Sequence, residues 1–167
     1  MDNKLLIHVG KTSDAVNTLV KLKHTESALI LLYSWIDRMA WLSVPNEESS
    51  GGDFKRWVEI YLLEETSLPC TSDDLWSARC ALLHTGSSES RDTAKGNART
   101  VLYYGGDEAD FTSNEDDKVF LKISDLHCGL ISAITRFNEH LNENPSEKAI
   151  ADKKLGKMLA RTELVAG

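Results

Sequence analysis

Apolar residues along the chain recur mostly at helical spacing. Over residues 25 to 44, TESALILLYSWIDRMAWLSV, Leu29, Leu32, Tyr33, Ile36 and Ala40 form one stripe, and Leu31, Trp35, Met39 and Leu42 widen it around most of the circumference. Such breadth predicts a central helix. Thr12 or Ser13 is a suitable cap for an earlier helical piece running to Lys23 and joining this one. PNEESSGG reads as a loop, after which Phe54, Trp57, Val58, Tyr61 and Glu65 resume the i, i+3, i+4 rule. Pro69 ends that second helix. Ser72 or Asp73 then caps a third, DDLWSARCALLHTG, which Gly86 closes.

Two short runs interrupt the helical period. ARTVLYYGG and KVFLKIS are rich in β-branched and aromatic residues and bounded by Gly or Asp clusters, so they read as the two strands of a hairpin joined by a long acidic loop, residues 105–117. Ser124 is placed to cap a further helix carrying Leu130, Ile131, Ile134, Phe137 and Leu141, ended by Asn144 and Pro145. A basic amphipathic helix over 146–167 follows, with Ala151, Leu155, Met158 and Leu159 as its apolar edge. The expected fold is mainly α: a four- to five-helix bundle with a small β-hairpin inserted before the last core helix, formed as a single domain over residues 1–167.

Composition adds limits. A length of 167 residues suits one domain with a substantial core, and 41% hydrophobic with 27% charged residues is ordinary for a globular chain. The net charge of −7 opposes phosphate binding at first sight. Its distribution removes most of that objection, because residues 105–117 hold six acidic side chains and no basic one, leaving 20 acidic against 19 basic elsewhere. Cys70, Cys80 and Cys128 make an odd set without C-x-x-C spacing, which fits a reducing cytoplasm. The longest apolar run, Ala28 to Ile36, meets Asp37 and Arg38 too soon to span a bilayer, and MDNKLLIHVGK lacks the apolar core of a signal peptide. No membrane partner is expected.

The third helix holds the candidate chemistry. Leu75, Trp76, Ala78, Cys80, Ala81, Leu82 and Leu83 leave Arg79 little solvated face, so its guanidinium needs an anion or an opening. His84 lies five positions on, about 140° around the axis and about 7.5 Å along it. Two readings stand side by side. In one, Arg79 pairs with an acid such as Asp37 and His84 caps the helix C-terminus, where a cation is favoured. In the other, Arg79 meets an opening, and its flexible side chain reaches toward the helix end where His84 sits.

LWSARCALLHTGS resembles the signature helix of the HEPN superfamily, in which an Arg, four to six intervening residues and a His mark metal-independent ribonucleases of bacterial defence and toxin–antitoxin systems. The order of helices over roughly residues 25 to 142 is also similar: an apolar helix with an internal Asp (YSWIDRMAWL), a second (DFKRWVEIYL), the motif helix and a closing helix. The resemblance implies a homodimer in which two motif helices meet and form one composite cleft for RNA. It implies that Arg79 holds the scissile phosphate, that His84 is general base on the ribose 2′-hydroxyl or general acid on the departing 5′-oxygen, and that the product is a 2′,3′-cyclic phosphate. Asp37 is the candidate for orienting them. A protein inhibitor of the antitoxin kind is a further implied partner. The residue after the motif Arg is commonly polar in that family, whereas here it is Cys80; a HEPN-like module that binds RNA or protein without cleaving is therefore the alternative.

Beyond His84, Arg91, Lys95 and Arg99 lie on a flexible segment and are candidates to track an RNA backbone, set against a plain solvated loop. Cys80 and His84 stand one turn apart, as two metal ligands on a helix would, but zinc sites take four ligands in paired spacings and no such pair appears. No P-loop, G-x-S-x-G or dinucleotide fingerprint is present, so neither metal nor cofactor is assigned.

Overall fold

The computed structural model describes residues 4–87, 90–106 and 116–159. They form α1 (Lys4–Lys21), α2 (Thr25–Leu42), α3 (Gly51–Trp57), a π-helical stretch (Val58–Leu63), α4 (Ser72–Thr85), α5 (Arg91–Ala94), β1 (Thr100–Tyr104), β2 (Lys118–Lys122), α6 (Ile123–Glu143) and α7 (Pro145–Leu159). The chain is mainly helical, and the five helices of fourteen or more residues, α1, α2, α4, α6 and α7, build the bundle. Nine α2 residues are buried, among them Leu32, Tyr33, Trp35 and Ile36, and α2 packs against α1, α3, α4, α6 and α7. The wide apolar stripe thus marks a helix surrounded by others.

Several boundaries differ from the sequence expectation, each for a local reason. α1 starts well before Thr12, so Thr12 and Ser13 lie inside it; the Thr12 hydroxyl donates back to the His8 carbonyl, and Ser13 bonds His127 on α6. Lys23 adopts a positive φ of 60°, which ends α1 and keeps it apart from α2. The N-cap of α4 is Thr71 rather than Ser72 or Asp73, because Thr71 and Asp74 form a reciprocal capping box while Ser72 donates to Glu59. α6 begins at Ile123, directly from β2, and its N-cap Lys122 makes no side-chain cap, so Ser124 does not fill that role.

The second helix departs most. After Trp57 its period widens to a π-helix, which shifts the buried face from the simple i, i+3, i+4 row to Phe54, Trp57, Val58 and Leu62. Glu65 falls outside, where it pairs with Arg136 on α6, and Arg136 also donates to the Tyr61 carbonyl within the widened turn.

The two strands were expected to form a hairpin, but they pair in parallel, with Val101 opposite Val119 and Tyr103 opposite Leu121. Both start at one end, where Thr100 N–H donates to the Asp117 carbonyl. Residues 105–117 supply the dozen or more positions that a parallel connection needs, whereas an antiparallel pair is satisfied by two. Within the acidic loop, residues 107–115 lie outside the described residues. So do residues 160–167 of the expected last helix and the side chain of Leu159. Ala151 and Leu155 of α7 are buried on the bundle. Among the described residues, no helix is long and apolar enough to cross a membrane.

Candidate active site

α4 carries the site because its two ends are fixed independently. At its start, Asp74 is 2% exposed and accepts from Thr71 N–H and from the backbone and guanidinium of Arg99. Burial works against this carboxyl's charge, yet the hydrogen bonds from Arg99 and Thr71 outweigh it and hold its pKa below the usual value. At its end, Gly86 sits in the left-handed region at φ 63°, a conformation that costs a residue with a Cβ and so suits glycine. Leu75, Ala78 and Ala81 bury one face.

Arg79 leaves that face toward α2. Its Nε donates to both oxygens of Asp37 (3.2 and 3.0 Å) and its Nη2 to Oδ2 (2.9 Å), a fork-on-fork arrangement joining the two helices. Burial of Arg79 opposes its charge, but the Asp37 bonds and charge, with a smaller contribution from Cys80, leave its pKa above the ordinary arginine value. The guanidinium also lies over the Trp76 ring, 5.2 Å from its centroid. Trp76 is itself held by Phe54, at 5.2 Å between ring centroids, and by Gly51, where a Cβ would stand 2.7 Å from the indole. The side chains of Asp37 and Arg79 are 28% and 20% exposed, so solvent reaches the pair.

His84 is exposed at the last turn, and its Nε2 meets Arg79 Nη1 at 3.2 Å. Every guanidinium nitrogen is a donor, so this contact requires Nε2 to be the acceptor of a neutral imidazole carrying its proton on Nδ1. Protonated His84 would turn the contact into repulsion. The bond from Arg79 thus presents an imidazole with a lone pair beside a cation, and an anion seated there would take the same donor. Among the described residues no hydrogen bond joins Asp37 to His84; Asp37 acts on the imidazole only through Arg79.

Two hollows flank this triad. One, of about 780 Å³, is lined by Cys80, His84, Ser90, Arg91 and Lys95. Arg91 and Lys95 are exposed there, at the two ends of a capped helical turn: Ser90 accepts from Asp92 and Thr93 N–H, and its hydroxyl bonds Ser77 on α4. Arg99 is not brought to this groove. It is spent on Asp74 and the Pro69 carbonyl near the other end of α4. The second hollow, of about 270 Å³, is lined by Asp37, Arg38, Trp41, Ser49, Trp76 and Arg79. Sequence reasoning passed over Arg38, Trp41 and the seating of Trp76. The signal available was D-R-x-x-W, which sets Asp37 and Trp41 one turn apart on the same face of α2.

The cysteines are free; Cys70 is buried, Cys80 partly buried and Cys128 exposed. Among the described residues, no three His, Cys, Asp or Glu side chains gather in a way that could hold a metal ion. Compared with known proteins, the chain matches no family model, no curated protein and no solved structure.

Proposed function

We propose that this chain is a HEPN-type endoribonuclease that cleaves RNA by 2′-hydroxyl attack, acting without a metal ion and as a homodimer whose two α4 helices share one cleft. The observation that carries the reading is the 3.2 Å contact between Arg79 Nη1 and His84 Nε2, with Asp37 gripping the other edge of the same guanidinium. Arg79 is a charge-bearing fork with one edge fixed and the other aimed at an exposed imidazole, which is what positioning a phosphate beside a proton acceptor requires.

In the proposed reaction, a scissile phosphate takes the Nη1 donor and releases the His84 lone pair. The 2′-hydroxyl gives its proton to that imidazole as its oxygen attacks phosphorus. The bond from phosphorus to the 5′-oxygen breaks, and the leaving oxygen takes its proton from the imidazolium formed in the attack. The products are a 2′,3′-cyclic phosphate and a 5′-hydroxyl end. Arg91 and Lys95 support the reading, because they line the groove that contains His84 and carry the charge a nucleic-acid backbone attracts. A cytoplasmic setting goes with it, since the three thiols are free. A cognate protein inhibitor belongs to the same reading, as the counterpart of a toxin.

The test is to incubate RNA with the purified protein in excess chelator, beside His84→Ala and Arg79→Ala variants, and to analyse the new ends. Cleavage that persists in chelator, leaves cyclic phosphates and disappears in both variants is expected. RNA binding with no cleavage by the unmodified protein would instead make the chain a non-catalytic module.

A further inference from the structure

Asp37 grips only the Nε and Nη2 side of the Arg79 guanidinium, whereas the nitrogen that meets His84 is Nη1. We infer that Trp76 is a positioning residue that keeps Nη1 in place, by supporting the guanidinium on its indole ring. The inference takes its consequence for catalysis from the nuclease reading, while the support itself follows from the packing around the ring.

An edge contact and a face contact restrain different motions. The three hydrogen bonds to Asp37 set where one edge of the fork lies, but a planar group held along one edge can still swing about it. That swing would carry Nη1, on the far side, away from the His84 imidazole. The Trp76 ring lies under the guanidinium, 5.2 Å from Cζ to the ring centroid, where it blocks the swing in one direction and attracts the cation. Trp76 stands three positions before Arg79 on α4, so the two side chains share one side of that helix.

Such a support works only if it is itself fixed. Trp76 packs on Phe54, at 5.2 Å between ring centroids, and Phe54 is 1% exposed. Its six-membered ring lies against Gly51, where an added Cβ would stand 2.7 Å away, so the bare backbone of α3 closes on the indole. The capping box between Ser50 and Asp53 fixes that first turn of α3. The order of support thus runs from a capped turn to an indole, then to a guanidinium and an imidazole. The other tryptophans are placed differently: Trp35 and Trp57 lie inside the core, and Trp41 carries the Lys154 ammonium, 4.9 Å from its ring centroid. Leucine in place of Trp76 would fill apolar space without offering the guanidinium a ring.

The experiment compares the full chain with Trp76→Leu and Trp76→Phe in two measurements. The first needs no RNA: NMR of the Arg79 Nε–H, assigned by its loss in Arg79→Lys, is used to read its exchange with water. Trp76→Leu is expected to speed that exchange about five-fold or more, as one ring–cation contact is released, while Trp76→Phe stays near the unmodified rate. The buried indole N–H of Trp35 is the reference, because a bundle that is merely loosened speeds both protons alike. The second measurement is cleavage of one defined RNA, in which Trp76→Leu lowers kcat about five-fold or more and Trp76→Phe restores most of it. Should Trp76→Leu not fold, Trp76→Met, which also lacks a ring, takes its place. Arg79 exchange that does not respond to loss of the ring, or that only follows Trp35, overturns the support even if RNA is cleaved. Full cleavage by the ringless variant overturns it as well. Selective loosening of Arg79, in a chain that cleaves no RNA when unmodified, keeps the support and removes the nuclease.

Discussion

Asp37 and Arg79, 42 positions apart in the chain, meet across α2 and α4 through three hydrogen bonds that leave only Nη1 of the guanidinium turned to His84. Asp37→Asn keeps the shape of that carboxylate and removes its charge. On the nuclease reading, kcat for RNA cleavage falls about 10- to 100-fold with KM little changed, because the fork loses its orientation while the phosphate-binding charge remains. Steady-state kinetics on one defined RNA checks this; a loss confined to KM would contradict it. The accompanying loss of stability is small, about 1 kcal/mol, since solvent reaches both partners.

Asp74 is the opposite case, a nearly inaccessible carboxylate that accepts from Thr71 N–H at the start of α4 and holds Arg99 at the entry to β1. Asp74→Ala leaves two backbone N–H groups, of Thr71 and Arg99, and a guanidinium without their acceptor. A loss of about 3 kcal/mol in urea unfolding is expected. Because its folded pKa is below the usual value, this contribution is present near neutrality and fades in strong acid, as pH falls through that lowered pKa.

Gly51 tests the seating of Trp76. At the first position of α3, alanine would gain up to about 1 kcal/mol of helix propensity. The added Cβ, however, would stand 2.7 Å from an indole already packed on Phe54, and overpacking of that kind costs about 1–3 kcal/mol. The net effect of Gly51→Ala is therefore destabilising, accompanied by a change in near-ultraviolet circular dichroism as the ring shifts. An unchanged spectrum with raised stability would show that the contact is loose.

Lys154 is 4% exposed and its ammonium replaces water with three backbone carbonyls, while burial lowers its pKa. Lys154→Met retains the stem but strands those acceptors in the last turn of α2 and just beyond it. Thermal unfolding is expected to register a loss of about 2–3 kcal/mol. Full stability in this variant would mean that water satisfies the carbonyls equally well.

His127, buried in α6 and bonded to Ser13 on α1 at 3.1 Å, has its pKa lowered by burial. As pH falls below about 6.5, the imidazole in the unfolded chain takes a proton before the folded one does. Folding stability thus declines through that window and is fully present above it. His8, lowered by burial and by Arg38 and Lys11, adds to the same slope. In His127→Gln the acid-side slope of the urea midpoint should shrink without vanishing; an identical slope would exclude the buried imidazole as its source.

The sequence by itself determined the local order. The helical period over residues 25–44 marked α2 as the central helix, and Pro69 and Gly86 bracketed α4, with Arg79 and His84 placed five positions apart in its second half. These features are written in residues a few positions apart, where helix geometry alone fixes what is adjacent. What only the tertiary structure decided lies at long separation. Strand direction depended on how β2 runs straight into α6, and Arg99 was drawn to Asp74 25 residues away instead of to the groove. Lys154 found carbonyls more than a hundred residues earlier, and Trp41 and Trp76 became two walls of one hollow. A periodic pattern states which face is buried but not which charge, ring or strand it will face, because that choice is made by whichever distant group removes most apolar surface while satisfying every buried polar atom.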